Sequence, residues 1–393
     1  MTGRVPDRTR VFNFIDHFRE PEVGANWTSF PQHFKNNGYL VLGAGKTYHV
    51  GFPPAFDTPQ SWSESMPYVS PGQCDPASMI SPYVTCPNAT TGCEDKAAIV
   101  QQGTGNWCVY NESKLTLPLW DRLILNASLQ HLDMAANQDQ PFFVAAGFHR
   151  PHLPFAMPHT FWNMYPDAID LPPPRFPNTT VGAPEVAWHT GLGDNTYALP
   201  TSADQTRHFR KAYYLHAPEA GFFHGRFILI NSCGTVTNYE RGTRVPMMIR
   251  APWKPASVGQ KTSALTMAVD MYRTVASLVN ASEPEPGVQG QSLASVFDSP
   301  PSAGSGPNAY AFSQFAKRLD KNDRPFDVCT TWDNQTQLPV WEDVVGEELY
   351  PHLDDDGTDF DRFETENEIN RPDLQPLRTS LAQALQSHFD ADH

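Results

Sequence analysis

Nowhere in the 393 residues do about 18 apolar side chains follow one another, so the sequence offers no ordinary membrane-spanning helix. Positive charge is scarce: 28 Lys and Arg stand against 43 Asp and Glu, a formal net charge of −15. That balance excludes the broad basic face a nucleic acid requires, although a few converging cations still build a local anion site in an acidic protein. The G-x-G-x-x-G spacing of a dinucleotide fold is missing, since the GAG at 43–45 has no third glycine in place. The cysteines lack the spacing of a zinc site. The opening stretch MTGRVPDRTRVFNF has no apolar segment and does not read as a secretion signal.

What the sequence has in quantity is proline, 37 residues, which predicts long irregular connections. A hydrophobic fraction of 40% and nine tryptophans predict a sizeable core, and the length fits one large domain with a smaller one. Seven Asn-x-Ser/Thr sequons are present, at Asn26, Asn88, Asn111, Asn126, Asn178, Asn280 and Asn334. Four of the six cysteines, Cys74, Cys86, Cys93 and Cys108, crowd one Gly/Pro/Asn/Thr-rich stretch and read as disulfide partners. Sequons and disulfides together point to the secretory route, lysosomal or extracellular. A chain lacking its natural beginning reconciles this with the polar opening.

Along the chain, residues 30–38 predict an amphipathic helix closed by Asn36-Asn37-Gly38, and 39–42 a short strand. Residues 50–110 read as loop. Residues 117–138 carry apolar side chains at helical spacing and lead into PFFVAAG (141–147), which reads as a buried strand; the pair is a helix–strand unit of a parallel α/β sheet. VPMMIRAP (245–252) and AYAFSQFA (309–316) read as further strands, 267–282 and 377–389 as helices. The linker composition of 298–308 sets a boundary between an α/β domain at 1–298 and a C-terminal subdomain at 306–393.

In parallel α/β sheets ligands bind at the carboxyl ends of strands. Two segments place cations there: GAGKTYHVG (43–51), with Lys46 and His49, and GFHRPHLPF (147–155), with His149, Arg150 and His152. Prolines 151 and 154 stiffen the second segment. Lysine charge, a forked guanidinium and proton-transferring histidines suit a tetrahedral oxyanion, sulfate or phosphate. A solvated lysine and packed histidines are the plain alternative on spacing alone. A metal held by His149 and His152 is disfavoured, because Pro151 breaks helical facing and no third ligand is evident.

The segments PQHFKNNGYLVLGAGKTYHVG, PFFVAAGFHRPHLPFAMPHTFWNMYP, FRKAYY, TNYERGTRVPMMIRAPW and GEELYPH together resemble the formylglycine-dependent sulfatases, and among them the branch acting on sulfated uronates. The resemblance implies an alkaline-phosphatase-like α/β fold, with a central mostly parallel sheet flanked by helices and a smaller C-terminal α+β subdomain. It sets Lys46 and His49 on the lysine and histidine that contact sulfate and nucleophile, and His152 on the sulfate-contacting histidine of the second block. His149 and Arg150 fall beside it as substrate-pocket residues. The implied substrate is a sulfated glycan or a small sulfate ester. In such enzymes a hydrated formylglycine attacks sulfur with the help of calcium, while Lys and His assist departure of the alcohol.

The chain also departs from that pattern. The family nucleophile is a cysteine in C-x-P-S-R, shortly before an L-T-G-R stretch, and none of the six cysteines here is followed by P-x-R. With MTGRVPD at its start, the chain is expected to begin downstream of the nucleophile and of the paired calcium-binding aspartates. A D-H-G calcium motif is expected after FRKAYY (209–214), yet Phe223 precedes His224-Gly225, and Thr235 stands where a lysine is expected. A further shortening falls near 329–341. The expectation is therefore a sulfatase-like chain that keeps the anion-contacting cations but not the calcium ligands or the nucleophile. Asp354-Asp355-Asp356 reads as a solvated acidic loop.

Overall fold

A computed structural model describes residues 1–11, 16–49, 52–64, 99–102, 107–115, 118–150, 152, 155–164, 181–184, 211–212, 240–299, 306–313, 318–319, 325–326, 347–350, 352, 364 and 366–390. In chain order the helices are α1 (Pro6–Thr9), α2 (Phe30–Asn36), α3 (Trp120–Ala136), α4 (His159–Trp162), α5 (Glu240–Thr243), α6 (Asp270–Leu278) and α7 (Gln375–Asp390). The strands are β1 (Leu40–Gly45), β2 (Ile99–Gln102), β3 (Trp107–Tyr110), β4 (Phe142–Gly147), β5 (Phe155–Pro158), β6 (Arg318–Leu319) and β7 (Pro325–Phe326). Among the described residues, no helix is long and apolar enough to cross a membrane.

Helix α2 starts where the sequence prepares it. The Ser29 side chain accepts from the Gln32 backbone N–H and the Gln32 side chain accepts from that of Ser29, so two otherwise unsatisfied donors are met. It ends at Asn37, and Gly38 takes φ +82°, a conformation glycine adopts without strain. Its Phe30 and Phe34 rings pack against Phe143 of β4 at centroid distances of 5.3 and 4.8 Å. With Val41, Tyr48, Trp62 and Tyr272 they form a largely aromatic core.

Strands β1 and β4 pair in parallel, from Leu40 opposite Phe142 to Gly45 opposite Gly147. Helix α3 packs across both. Its buried residues Trp120, Ile124, Ser128, His131 and Ala135 recur every three to four positions, the helical period the sequence shows. Strand β1 is buried throughout, whereas β4 is half-buried, with Phe142 47% exposed. The expected buried strand is thereby corrected to a half-buried one, and among the described residues β4 has a ladder partner on one side only.

A second sheet has the order β2-β3-β5, with β2 and β3 antiparallel and β3 and β5 parallel. Cys108 of β3 is fully buried and disulfide-bonded, as the crowded cysteines led one to expect. The other five cysteines lie outside the described residues.

Two strand expectations fail. Residues 245–252 form no ladder, and Val245 and Met248 are more than 60% exposed. The described part of 309–316 is likewise irregular. Apolar composition makes a strand only when a neighbour supplies hydrogen bonds, and no described strand lies alongside either segment. Helix α6 is shorter than the expected 267–282: the Asp270 carboxylate accepts from the Met267 N–H, and Asn280 at φ +53° ends the helix. Helix α7 forms over the expected residues, and His388 on it stacks on Phe312 at 4.0 Å.

Candidate functional site

The parallel register of β1 and β4 brings their carboxyl ends side by side. Lys46 follows Gly45 directly, and its backbone N–H donates to the Gly147 carbonyl at 2.6 Å. Two glycines make this approach possible. A Cβ on Gly45, whose φ is +69°, would overlap the Gly147 carbonyl oxygen and crowd Ile124; a Cβ on Gly147 would overlap the Lys46 backbone. The obstacle is main chain, which has little freedom to retreat. Gly147→Ala is therefore expected to cost about 1–3 kcal/mol and to spread the two loops. Denaturant unfolding checks this, and a midpoint equal to that of the parent chain would remove the close approach as a constraint.

The first loop is pinned by its middle. Tyr48 is 7% exposed and its hydroxyl shares a 2.9 Å hydrogen bond with Ser61. Burial and the nearby Asp57 charge push the Tyr48 phenol well above its ordinary pKa, so it stays neutral. With Tyr48 drawn into the core, Lys46 and His49 on either side remain only half-buried. Burial lowers the pKa of Lys46. The pKa of His49 is lowered by burial first, then by the charges of Lys46 and His152. His49 thus lies within electrostatic reach of both Lys46 and His152.

The second loop returns to the same place from β4. The His149 and His152 rings lie 4.7 Å apart, and Trp120 at the start of α3 covers the other side of His149 at 3.7 Å. Arg150 points elsewhere. Its Nη2 donates to the Ala156 carbonyl at 2.7 Å, and its Nε lies 3.8 Å from Asp121 Oδ2. The guanidinium is nine-tenths enclosed and braces the loop against β5 and α3. Lys46, His49, His149 and His152 are therefore gathered at one sheet end, while the Arg150 side chain is turned inward. The residues that set this up, Tyr48, Trp120 and Asp121, were missed in the sequence. A Trp-Asp pair at a helix start carries no local signal for a loop 28 residues away.

The family resemblance implies calcium. Among the described residues no three His, Cys, Asp or Glu side chains gather as metal ligands. The donors at the sheet end are cationic or imidazole, and Asp121 already accepts two backbone N–H groups. This set does not fit a hard divalent cation, which needs several oxygen ligands. Residues 223–225, 235 and 354–356, weighed in the sequence for metal or catalytic roles, lie outside the described residues.

No family model matches the chain. It is 26% identical over 340 residues to iduronate 2-sulfatase of Homo sapiens, covering 75% of this chain and 56% of that protein. It is 26% identical over 185 residues to a sulfatase of Formosa agariphila, covering 44% of this chain and 32% of that one. The chain thus spans a little over half the length of the iduronate 2-sulfatase it matches. In structure it is similar to the phosphonate monoester hydrolase of Silicibacter pomeroyi, with a TM-score of 0.60 and 16% identity over 100% of this chain and 85% of that one. That likeness carries the fold, an alkaline-phosphatase-like α/β architecture with helices on a parallel sheet. The chain is thus similar in sequence to iduronate 2-sulfatase along three quarters of its length, and it shares the fold of the hydrolase over its whole length.

Proposed function

We propose that the chain carries the sulfate-binding part of a sulfuric ester hydrolase site acting on sulfated, uronate-containing glycans. Lys46, His49 and His152 contact the sulfate group, with His149 and the Arg150 segment forming the adjoining pocket wall. What supports this reading is that Lys46, His49 and His152 lie at the carboxyl ends of two parallel strands, where Lys46 and His152 both depress the pKa of His49. Like charges held together disfavour one another's protonation, and a bound anion relieves that.

The same relation sets the pH dependence. In the free protein His49 is held below its ordinary value of 6.5, so at neutral pH it is uncharged. A sulfate group favours the protonated form, so binding takes up a proton. Affinity is expected to rise as pH falls below neutrality and to weaken in alkali as Lys46, also lowered, loses its charge.

None of the six cysteines stands before P-x-R, so these 393 residues by themselves are proposed to bind without turning over. That observation also favours a second reading, a non-catalytic sulfated-glycan-binding protein. Two measurements separate them: p-nitrophenyl sulfate hydrolysis with calcium added, and calorimetric binding of a sulfated uronate disaccharide between pH 5.5 and 8. Binding that strengthens toward acid, without hydrolysis, supports the binding role of the chain; hydrolysis sinks the claim of inactivity; no binding at any pH sinks both readings.

We further propose the secretory route, supported by the Cys108 disulfide and by the exposure of sequon residues Asn26, Asn126 and Asn280. Division into 1–298 and 306–393 remains a proposal from composition, beside the bond from Asn308 Nδ2 to Asp270 Oδ2, 2.8 Å, that crosses it.

A further inference from the structure

Asp121 is the second residue of α3, yet its carboxylate does not cap its own helix: Leu119 occupies the N-cap with no side-chain bond. Its oxygens instead reach across to the loop after β4. The His149 backbone N–H donates to Oδ1 at 2.8 Å, the Arg150 backbone N–H to Oδ2 at 3.2 Å, and the Arg150 guanidinium flanks Oδ2 at 3.8 Å. Immediately before it, Trp120 lies against the His149 ring at 3.7 Å, and His149 against His152 at 4.7 Å. Trp120 and Asp121 are 8% and 9% exposed, so neither is a surface group that happens to touch the loop.

We propose that Trp120 and Asp121 are positioning residues for the anion site: the carboxylate fixes the backbone of the second cation loop and the indole fixes its ring stack, so that His152 faces Lys46 and His49. The proposal rests on the sulfate-binding reading for its consequence, though not for its geometry. Two consecutive N–H groups on one carboxylate set the direction in which the loop leaves β4, and a charged acceptor makes those bonds stronger than a neutral one would. Three rings in series leave His149 little freedom to turn. Since His152 is the outermost of the three and is itself exposed, its placement depends on the two beneath it.

The test uses the full chain, inorganic sulfate as probe, and Asp121→Asn beside Asp121→Ala. Asparagine keeps one acceptor oxygen and loses the charge, and covers the case in which the alanine variant fails to fold. Asp133→Ala removes an exposed carboxylate from the same helix and serves as control. Amide hydrogen exchange at His149 and Arg150 is expected to quicken about tenfold in Asp121→Asn and more in Asp121→Ala, with Lys46 and the β1 amides unchanged. Sulfate affinity is expected to fall about tenfold, and the gain in affinity on acidification to flatten, because His49 loses a neighbour that holds its pKa down. Mere loss of stability would leave that pH slope intact. Faster exchange with unchanged affinity and slope overturns the positioning role; unchanged exchange overturns the geometry itself. If the parent chain shows no Lys46-dependent sulfate binding, the anion reading fails, and the positioning claim is then decided by exchange and by the nuclear Overhauser contacts between Trp120 and His149.

Discussion

Replacing Asp57 by Ala is expected to lower stability by about 3–5 kcal/mol, the usual consequence of leaving one member of a buried ion pair alone. Arg19 donates to both Asp57 oxygens, Nε to Oδ1 at 2.6 Å and Nη2 to Oδ2 at 2.8 Å, with side chains 9% and 2% exposed. Ser61 donates to Oδ2 at 2.5 Å, and its hydroxyl in turn meets Ser29 and Tyr48. The network joins the cap of α2 to the Tyr48 turn, so its loss reaches the Lys46–His49 loop. Asp57 itself adopts φ +63°, a left-handed conformation that Asp and Asn tolerate better than Ala. Asp57→Asn therefore isolates the charge, while Asp57→Ala adds backbone strain. Urea unfolding of both, with Ser61→Ala expected to cost only about 1 kcal/mol, resolves the contributions. A loss below that of Ser61→Ala for either Asp57 variant would show that the pair does not hold this region.

Lys46→Ala carries the second large effect, on binding. A charge-assisted contact to an anion is worth roughly 2 kcal/mol, so affinity for a sulfated disaccharide should weaken about thirtyfold. Stability should move little or even improve, since burial already disfavours the Lys46 charge. That split between binding and folding is the useful part. Affinity that survives the substitution, or a melt that collapses with it, would remove Lys46 from the anion site. In His49→Ala the same binding isotherms should lose part of their acid enhancement, as the proposed proton uptake at His49 requires.

Local chemistry made much of this legible in advance. Ser29, Gln32 and Gly38 bound α2; the spacing of Trp120, Ile124, Ser128, His131 and Ala135 writes the buried face of α3; and the Gly-Lys-x-x-His and Gly-Phe-His-Arg-Pro-His blocks single out the cations. Such features depend on neighbours within one or two turns, which a sequence displays directly. Residues 245–252 show the limit, because the same apolar pattern serves a strand or an unpaired extended segment, and only a neighbouring backbone decides.

By itself the sequence determined which side chains stand at the ends of two strands and that their chemistry suits a tetrahedral anion. Only the tertiary structure decided which of them meet. The β1–β4 register and the Gly45–Gly147 approach bring Lys46, His49 and His152 together, while Asp121 and Ala156 draw the Arg150 guanidinium away. The reason is physical: an ionisable group's orientation follows the nearest buried partner in space, and no spacing along the chain records where that partner lies.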